Sequence, residues 1–399
     1  MPRFEPFAGI RYDLDRVDLD DVVAPPYDVI NADSQAALEA RSPFNVVHID
    51  LSRPEEGADR YASAGCRFDE WLAAGVLRTD PGPGFYAYRM GYHDPNGDSH
   101  QIVGVLGALE VSAAGKGGVL PHEETQHKVR DDRLNLLRAC RADLSPVWGL
   151  SMASGLTELL TPIGPPDARC TDGEGVHHRM WRLTQPSVLE ALSATVASAP
   201  VVIADGHHRY ATALAYRDEQ RATRGGGPGD EDLLLALVCE LADGQASVRP
   251  IHRVVTGLPE GFDLPAALDA SFEPQEARPP VESLPDRMTA QGALGLLLAD
   301  GRMFLLRPRV AASDDAPPDA ALLDQALAGL PPHRLAFDHS LSSVTGRVAS
   351  GAAQAGILLR PVAVDQIART ACAGRKMPTK TTFFHPKPRT GMVFRRLAS

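Results

Sequence analysis

Nothing in this chain is apolar for long enough to cross a bilayer as a helix. The longest run, Leu233-Leu234-Leu235-Ala236-Leu237-Val238, is far short of the roughly 20 residues a spanning helix needs. The start, Met1-Pro2-Arg3-Phe4-Glu5, lacks the basic and apolar regions of a secretory signal, so a cytoplasmic protein without membrane contact is expected. Cysteine is sparse: 5 residues, widely scattered, with no C-x-x-C pair, which excludes a zinc ribbon or a redox couple and leaves reduced, mostly buried thiols. Positive charge is also in deficit. A formal net charge of −11 argues against nucleic acid as a partner, because specific binders present a basic face that releases counterions. Three motifs are missing as well. There is no G-x-x-x-x-G-K-[ST] loop and no G-x-G-x-x-G after a strand, and Gly149-Leu150-Ser151-Met152-Ala153 lacks the last glycine of a nucleophile elbow. No repeat recurs at a fixed period.

What remains is an ordinary globular composition, 44% apolar and 23% charged, in 399 residues, enough for two or three packed domains. The patterning predicts a mixed α/β fold. Tyr61, Ala64, Phe68 and Leu72 share a helical face, and Tyr86, Tyr88, Met90 and Tyr92 alternate along a strand. After His93-Asp94-Pro95-Asn96-Gly97-Asp98 the apolar stretch Ile102 to Val111 completes a hairpin. From Val129 to Cys140 the spacing is helical, with Leu134 and Leu137 inward and Arg130, Arg133, Arg138 and Arg141 around the rest of the turn. A helix near 187–197, a short strand Val201 to Ala204, and a helix carrying Tyr210, Ala213 and Leu214 follow. Asp300-Gly301 between two apolar runs is the strongest short hairpin signal. We expect an N-terminal α/β region over 1–120, a central region over 121–255, a small α+β region over 256–350, and a strand, helix and basic tail over 351–399 that packs back on the core.

The residues with most chemistry are Asp205-Gly206-His207-His208-Arg209. A strand that ends in Asp-Gly and passes at once into a helix aims backbone N–H groups and the positive helix end at one point, which favours an anion. Gly206 permits close approach. Arg209 adds a planar fork of donors for phosphate, His207 and His208 offer proton transfer near neutral pH, and Asp205 is a candidate ligand for magnesium. The plainer alternative makes Asp205 a helix cap. Pro121-His122-Glu123-Glu124-Thr125-Gln126-His127 invites comparison with H-E-x-x-H and fails it, since Gln126 stands four after His122. Glu123 or Glu124 is instead a candidate general base, if that loop lies near Asp205. Asp28, in the extended Val23-Ala24-Pro25-Pro26-Tyr27-Asp28-Val29-Ile30, is another, read either as a functional carboxylate buried among apolar neighbours or as one accepting backbone hydrogen bonds in a turn. The tail from Lys376 to Arg389 concentrates cations, Lys380 among them, and is a candidate to close over a phosphate.

Taken together, Val23 to Ile30, Pro121 to Thr125 with Arg133-Leu134-Asn135-Leu136-Leu137, Ala204 to Tyr210, Pro250-Ile251-His252-Arg253, and Met377 to Pro388 resemble the bacterial family called domain of unknown function 1015. The Asp-Gly-His-His-Arg core is similar to the motif of the ParB and sulfiredoxin-like superfamily, and within it the free-serine kinase branch matches best. The resemblance implies a ParB/sulfiredoxin-like phosphate-binding core with added α+β regions. It also implies that Asp205 to Arg209 bind nucleotide phosphate and magnesium, while an acidic residue deprotonates a substrate hydroxyl. The implied activity moves a phosphoryl group between ADP or ATP and a small hydroxylated metabolite, free serine first. A small-molecule phosphatase and a nucleotide-binding or nucleotide-hydrolysing switch stand as alternatives. Sulfiredoxin chemistry needs a cysteine in the motif, and there is none between Cys170 and Cys239. Oligomeric state is not legible.

Overall fold

A computed structural model of the chain describes all residues except 54–58, 95–96, 114, 124, 126, 162–163, 243, 311–316 and 398–399. It divides into two compact units, one formed by Met1–Ser247 with Pro386–Ser399, the other by Val248–His385. No helix among the described residues is long and apolar enough to cross a membrane.

The first unit is built on a mixed sheet of nine strands among the described residues. Its order runs Val119–Leu120, Val201–Asp205, Val147–Ser151, Leu233–Glu240, Ser99–Glu110, Phe85–His93, His177–Leu183, Ala168–Thr171, with Phe4–Glu5 paired to Ser99–Glu110. Strand Val201–Asp205 is parallel to Val119–Leu120 and antiparallel to Val147–Ser151. The central strands read as continuous apolar runs because both faces are covered: Leu234 to Cys239 are all buried. One face packs Phe85, Val105, Val147, Val201, Ile203 and Val238 against Leu192, Val196, Tyr210 and Ala213 from helices. Each such side chain contributes about 1.5–3 kcal/mol by leaving water.

Helix His127–Cys140 packs on helix His207–Arg224 and on helix Arg60–Ala73. Its inward face differs from the periodicity reading. Arg133, Leu136, Leu137 and Cys140 are buried, and Leu134 is only partly so. An arginine on the inner stripe escapes a hydrophobicity pattern because only the partners waiting for it make burial tolerable. The cysteines are all free, three buried and two exposed.

The second unit carries a six-stranded antiparallel sheet among its described residues, ordered Phe272–Ala277, Met303–Pro308, Leu294–Leu298, Ala355–Leu358, His252–Thr256, Arg334–Asp338. Its two faces bury separate clusters, one around Leu268, Leu296, Leu323 and Ile357, the other around Leu284, Leu297, Leu305 and Val344. The Asp300-Gly301 hairpin is present, with Gly301 at φ +86° where a left-handed residue is required.

Candidate functional site

Asp205 is the last residue of its strand, and a bulge against Trp148 shifts the register between Ile203 and Asp205. Gly206 then turns the chain at φ +90° into helix His207–Arg224. A Cβ there would meet the Arg209 guanidinium at 3.0 Å, so glycine is required by backbone conformation and by space. The N-cap position is Gly206, which has no side chain, and no acid stands in the first turn. Instead, Arg209 one turn on reaches back, its Nη2 donating to Asp205 Oδ2 at 2.7 Å while Nη1 donates to the Pro146 carbonyl and to Ser145 Oγ at 3.3 Å. The other carboxylate oxygen takes the ammonium of Lys387.

Lys387 is the residue that sequence reasoning missed. It lies 182 positions from Asp205, on a terminal strap woven through the first unit. Arg389 anchors the strap by donating its N–H to Tyr88 Oη (3.2 Å) and its Nη1 to Asp172 (3.4 Å). Thr390 and Ala24 exchange both backbone hydrogen bonds, as do Phe394 and Ile10. The signal available was the cationic tail itself. Lys380, the tail lysine singled out from the sequence, belongs to the second unit, where its carbonyl accepts from Arg253.

Asp205, Arg209 and Lys387 side chains are only 14%, 10% and 9% exposed. Burial by itself would raise the Asp205 pKa. Lys387 first and Arg209 next outweigh it and hold the carboxyl well below the usual range. Burial likewise opposes the charge of Lys387, and Asp205 followed by Asp28 keeps it protonated. With both Asp205 oxygens engaged by cations, the donor set does not fit a divalent metal. Among the described residues no group of three His, Cys, Asp or Glu is placed to hold one.

The structure brings the Pro121–Glu123 segment onto the motif. Val119–Leu120 pairs with the motif strand, the His122 N–H donates to His207 Nε2 at 3.3 Å, and the two rings meet edge to face at 4.5 Å. Glu123 is half-buried next in the chain; Glu124 and Gln126 lie outside the described residues. His207 is buried against this loop, and His208 is half-buried. Asp28 is exposed, contrary to the expectation of a buried carboxylate, because its 3-10 turn, Tyr27–Val29, points it outward. Its charge is still felt at Lys387, Asp50 and Tyr27. His178, of the His177-His178 pair, is structural, held between Tyr88 Oη (2.8 Å) and Asp172 (3.2 Å).

Beneath the ion pairs, Arg133 donates Nη1 to the Asp50 carboxylate (3.0 Å) and carbonyl (2.9 Å), bonds Asp132, and lies 4.3 Å over the Tyr27 ring. Tyr27, Asp50, Arg133, Ser145, Arg209 and Thr212 line a cavity of about 60 Å³, room for a water or two.

The histidine pair carries a pH prediction. Burial holds His122 down at about 4, partly offset by the Ile203 backbone, and holds His207 well below its ordinary value of 6.5, His122 adding to the effect. Between pH 6.5 and 4 the unfolded chain therefore binds protons that the folded chain does not, so stability falls as pH falls through that window. His122 alone accounts for roughly 3 kcal/mol at full extent. Urea midpoints at pH 7 and 5 check this. The midpoint should drop on acidification and drop less in His122→Phe; identical midpoints would sink the argument.

These features define an α/β protein with a buried, ion-paired strand-to-helix turn. The chain belongs to the family described as protein of unknown function, domain of unknown function 1015, which it matches over residues 4–326. Comparison with curated proteins finds no match. Solved structures it is similar to include a free serine kinase in complex with AMP, at 11% identity and TM-score 0.37, covering 67% of this chain and 83% of that one. Others are a conserved hypothetical protein from Pyrococcus furiosus (12%, TM-score 0.38, 69% and 90% covered) and SbnI with a C-terminal truncation from Staphylococcus aureus (10%, 0.38, 71% and 85%).

Proposed function

We propose that this protein is a phosphotransferase that moves a phosphoryl group between a nucleotide, ADP or ATP, and a small hydroxyl compound, with free L-serine the first acceptor to test. One observation carries the reading. At the uncapped start of an 18-residue helix, two buried cations, Arg209 and Lys387, share a single carboxylate, so an acidic chain holds a locally positive, anion-oriented turn. Phosphoryl transfer needs mainly positioning and neutralisation of phosphate charge, which backbone amides, an arginine fork and a lysine supply. Asp205 orients the two cations. Glu123, beside the His122–His207 contact, and Asp28, whose charge acts on Lys387, are the two carboxylates proposed as proton acceptor from the substrate hydroxyl. His207 is turned to His122, and His208 is the second histidine proposed to meet the ligand. Magnesium belongs to this proposal only as the counter-ion of the nucleotide.

The test is phosphorus NMR of the purified protein with magnesium, ADP or ATP, and free serine, beside Asp205→Asn, Glu123→Gln and Asp28→Asn. Phosphoserine made by the parent, lost in Asp205→Asn and lost in one of the other two, is the expected result. Free phosphate without phosphoserine would mean nucleotide hydrolysis, as in a nucleotide-hydrolysing switch, and free phosphate released from added phosphoserine would mean a phosphatase. Nucleotide binding without turnover would mean a nucleotide-dependent switch.

A further inference from the structure

At the far side of the first unit's sheet an arginine row stands without acid partners. Arg179 lies directly opposite Arg89 on one neighbouring strand and opposite Arg169 on the other, so the three side chains project from one face. Among the described residues none of the three forms an ion pair. Like charges directly opposite one another weaken strand pairing, and a chain with 51 acidic residues places none in this row. The next row on the same face holds Thr171, His177, Gly91 and Gln101, donors without negative charge. Burial lowers the Arg89 pKa and the charge of Arg179 lowers it further. Its Nε is buried without a hydrogen-bond partner, and its guanidinium lies 5.2 Å over the Trp181 ring. A cavity of about 230 Å³ opens here, lined by Arg89, Arg179, His93, His100, His177 and Gln101.

We propose that this cavity binds a small oxyanion of the phosphate or phosphate-ester class, at a site separate from the Asp205 turn. The strand of Arg89 is four positions from that of Asp205 in the sheet, roughly 19 Å at ordinary strand spacing. Guanidinium forks match phosphate oxygens two at a time, and an anion between Arg89 and Arg179 would turn their mutual repulsion into shared attraction. The volume suits a small anion and the acidity of the chain as a whole disfavours a polyanionic strand.

Titration with sodium pyrophosphate, inorganic phosphate and citrate, read by tryptophan fluorescence and thermal melting, tests this in the full chain. Pyrophosphate should change the fluorescence and raise the melting temperature of the parent and of Arg209→Gln alike. In Arg179→Gln, or in Arg89→Gln, its affinity should fall at least tenfold. Without anion, Arg179→Gln should melt no lower than the parent, since a repulsion has been removed. Trp181→Phe should lose the fluorescence response and keep the melting response. Unchanged affinity in both row variants overturns the proposal, as does a lower melting temperature of anion-free Arg179→Gln, which would make that arginine structural. A response lost only in Arg209→Gln would put the anion at the Asp205 turn and overturn it too. Citrate binding as tight as pyrophosphate would refute the phosphate assignment.

Discussion

Exchange of Lys387 for methionine should lower the melting temperature by roughly 6–12 °C and abolish any stabilisation by ADP or ATP. The ammonium is 9% exposed and holds one oxygen of a carboxylate whose other oxygen belongs to Arg209. Removing one member of a buried ion pair leaves the other charge uncompensated, a loss of about 3–5 kcal/mol when no second partner exists. Arg209 keeps the loss near the lower figure, roughly 3 kcal/mol, and for a unit of this size each kcal/mol moves the transition by about 2–4 °C. The Asp205→Asn/Lys387→Met double variant locates the loss. Lys387→Met keeps the Asp205–Arg209 pair, whereas the double variant strands Arg209 without a carboxylate, so it should melt lower still and show no nucleotide response. Differential scanning with and without nucleotide reads both quantities. If the single variant melts with the parent, the strap lysine is not the buried partner described here. If the double variant melts with the single one, the Asp205–Arg209 pair is not what holds the turn once the lysine is gone.

Arg133→Met should have the largest effect on stability alone, roughly 6–15 °C at pH 7. Arg133 is 7% exposed, and the buried carboxylate it holds, Asp50, is 5% exposed with one oxygen unpartnered. Burial already raises the Asp50 pKa; Arg133 first and Arg209 next oppose that rise. Without Arg133 the folded-state pKa climbs further. A carboxyl raised in the folded state destabilises the fold as pH rises above its unfolded value of about 3.9, because the unfolded chain then ionises more readily. The deficit of the variant relative to the parent is therefore expected to be larger at pH 7 than at pH 4.5. Melting curves of both proteins at the two pH values check it. A deficit independent of pH would assign the effect to lost packing over Tyr27 and not to the stranded charge.

Local signals were readable wherever a few neighbouring residues carry the constraint. Val201 to Ala204, Asp205-Gly206 and the helix after it are a strand, a turn and a helix because β-branched residues, a glycine at positive φ and a 3.6 period lie next to one another in sequence. The same holds for the Asp300-Gly301 hairpin and for strand Leu233–Glu240. Arg133 shows the limit. A charged residue inside an amphipathic helix reads as solvent-facing, and nothing within helix His127–Cys140 announces that Asp50 and Tyr27 are waiting for it. Asp28 fails in the opposite sense, for it and Val29 are both exposed on the 3-10 turn although the stretch reads as apolar.

By itself, then, the sequence determined the mixed α/β class, the family, and the strand-to-helix turn at Gly206, since these rest on dihedral preference, short-range periodicity and local motifs. Tertiary structure alone decided which charges meet there. Lys387 reaches Asp205 across 182 residues, His122 meets His207 across 85, and Arg89, Arg179 and Arg169 come abreast only through strand order. Electrostatic pairing acts through space over a few ångströms, and chain separation says nothing about which groups a sheet and a returning strap bring within that reach.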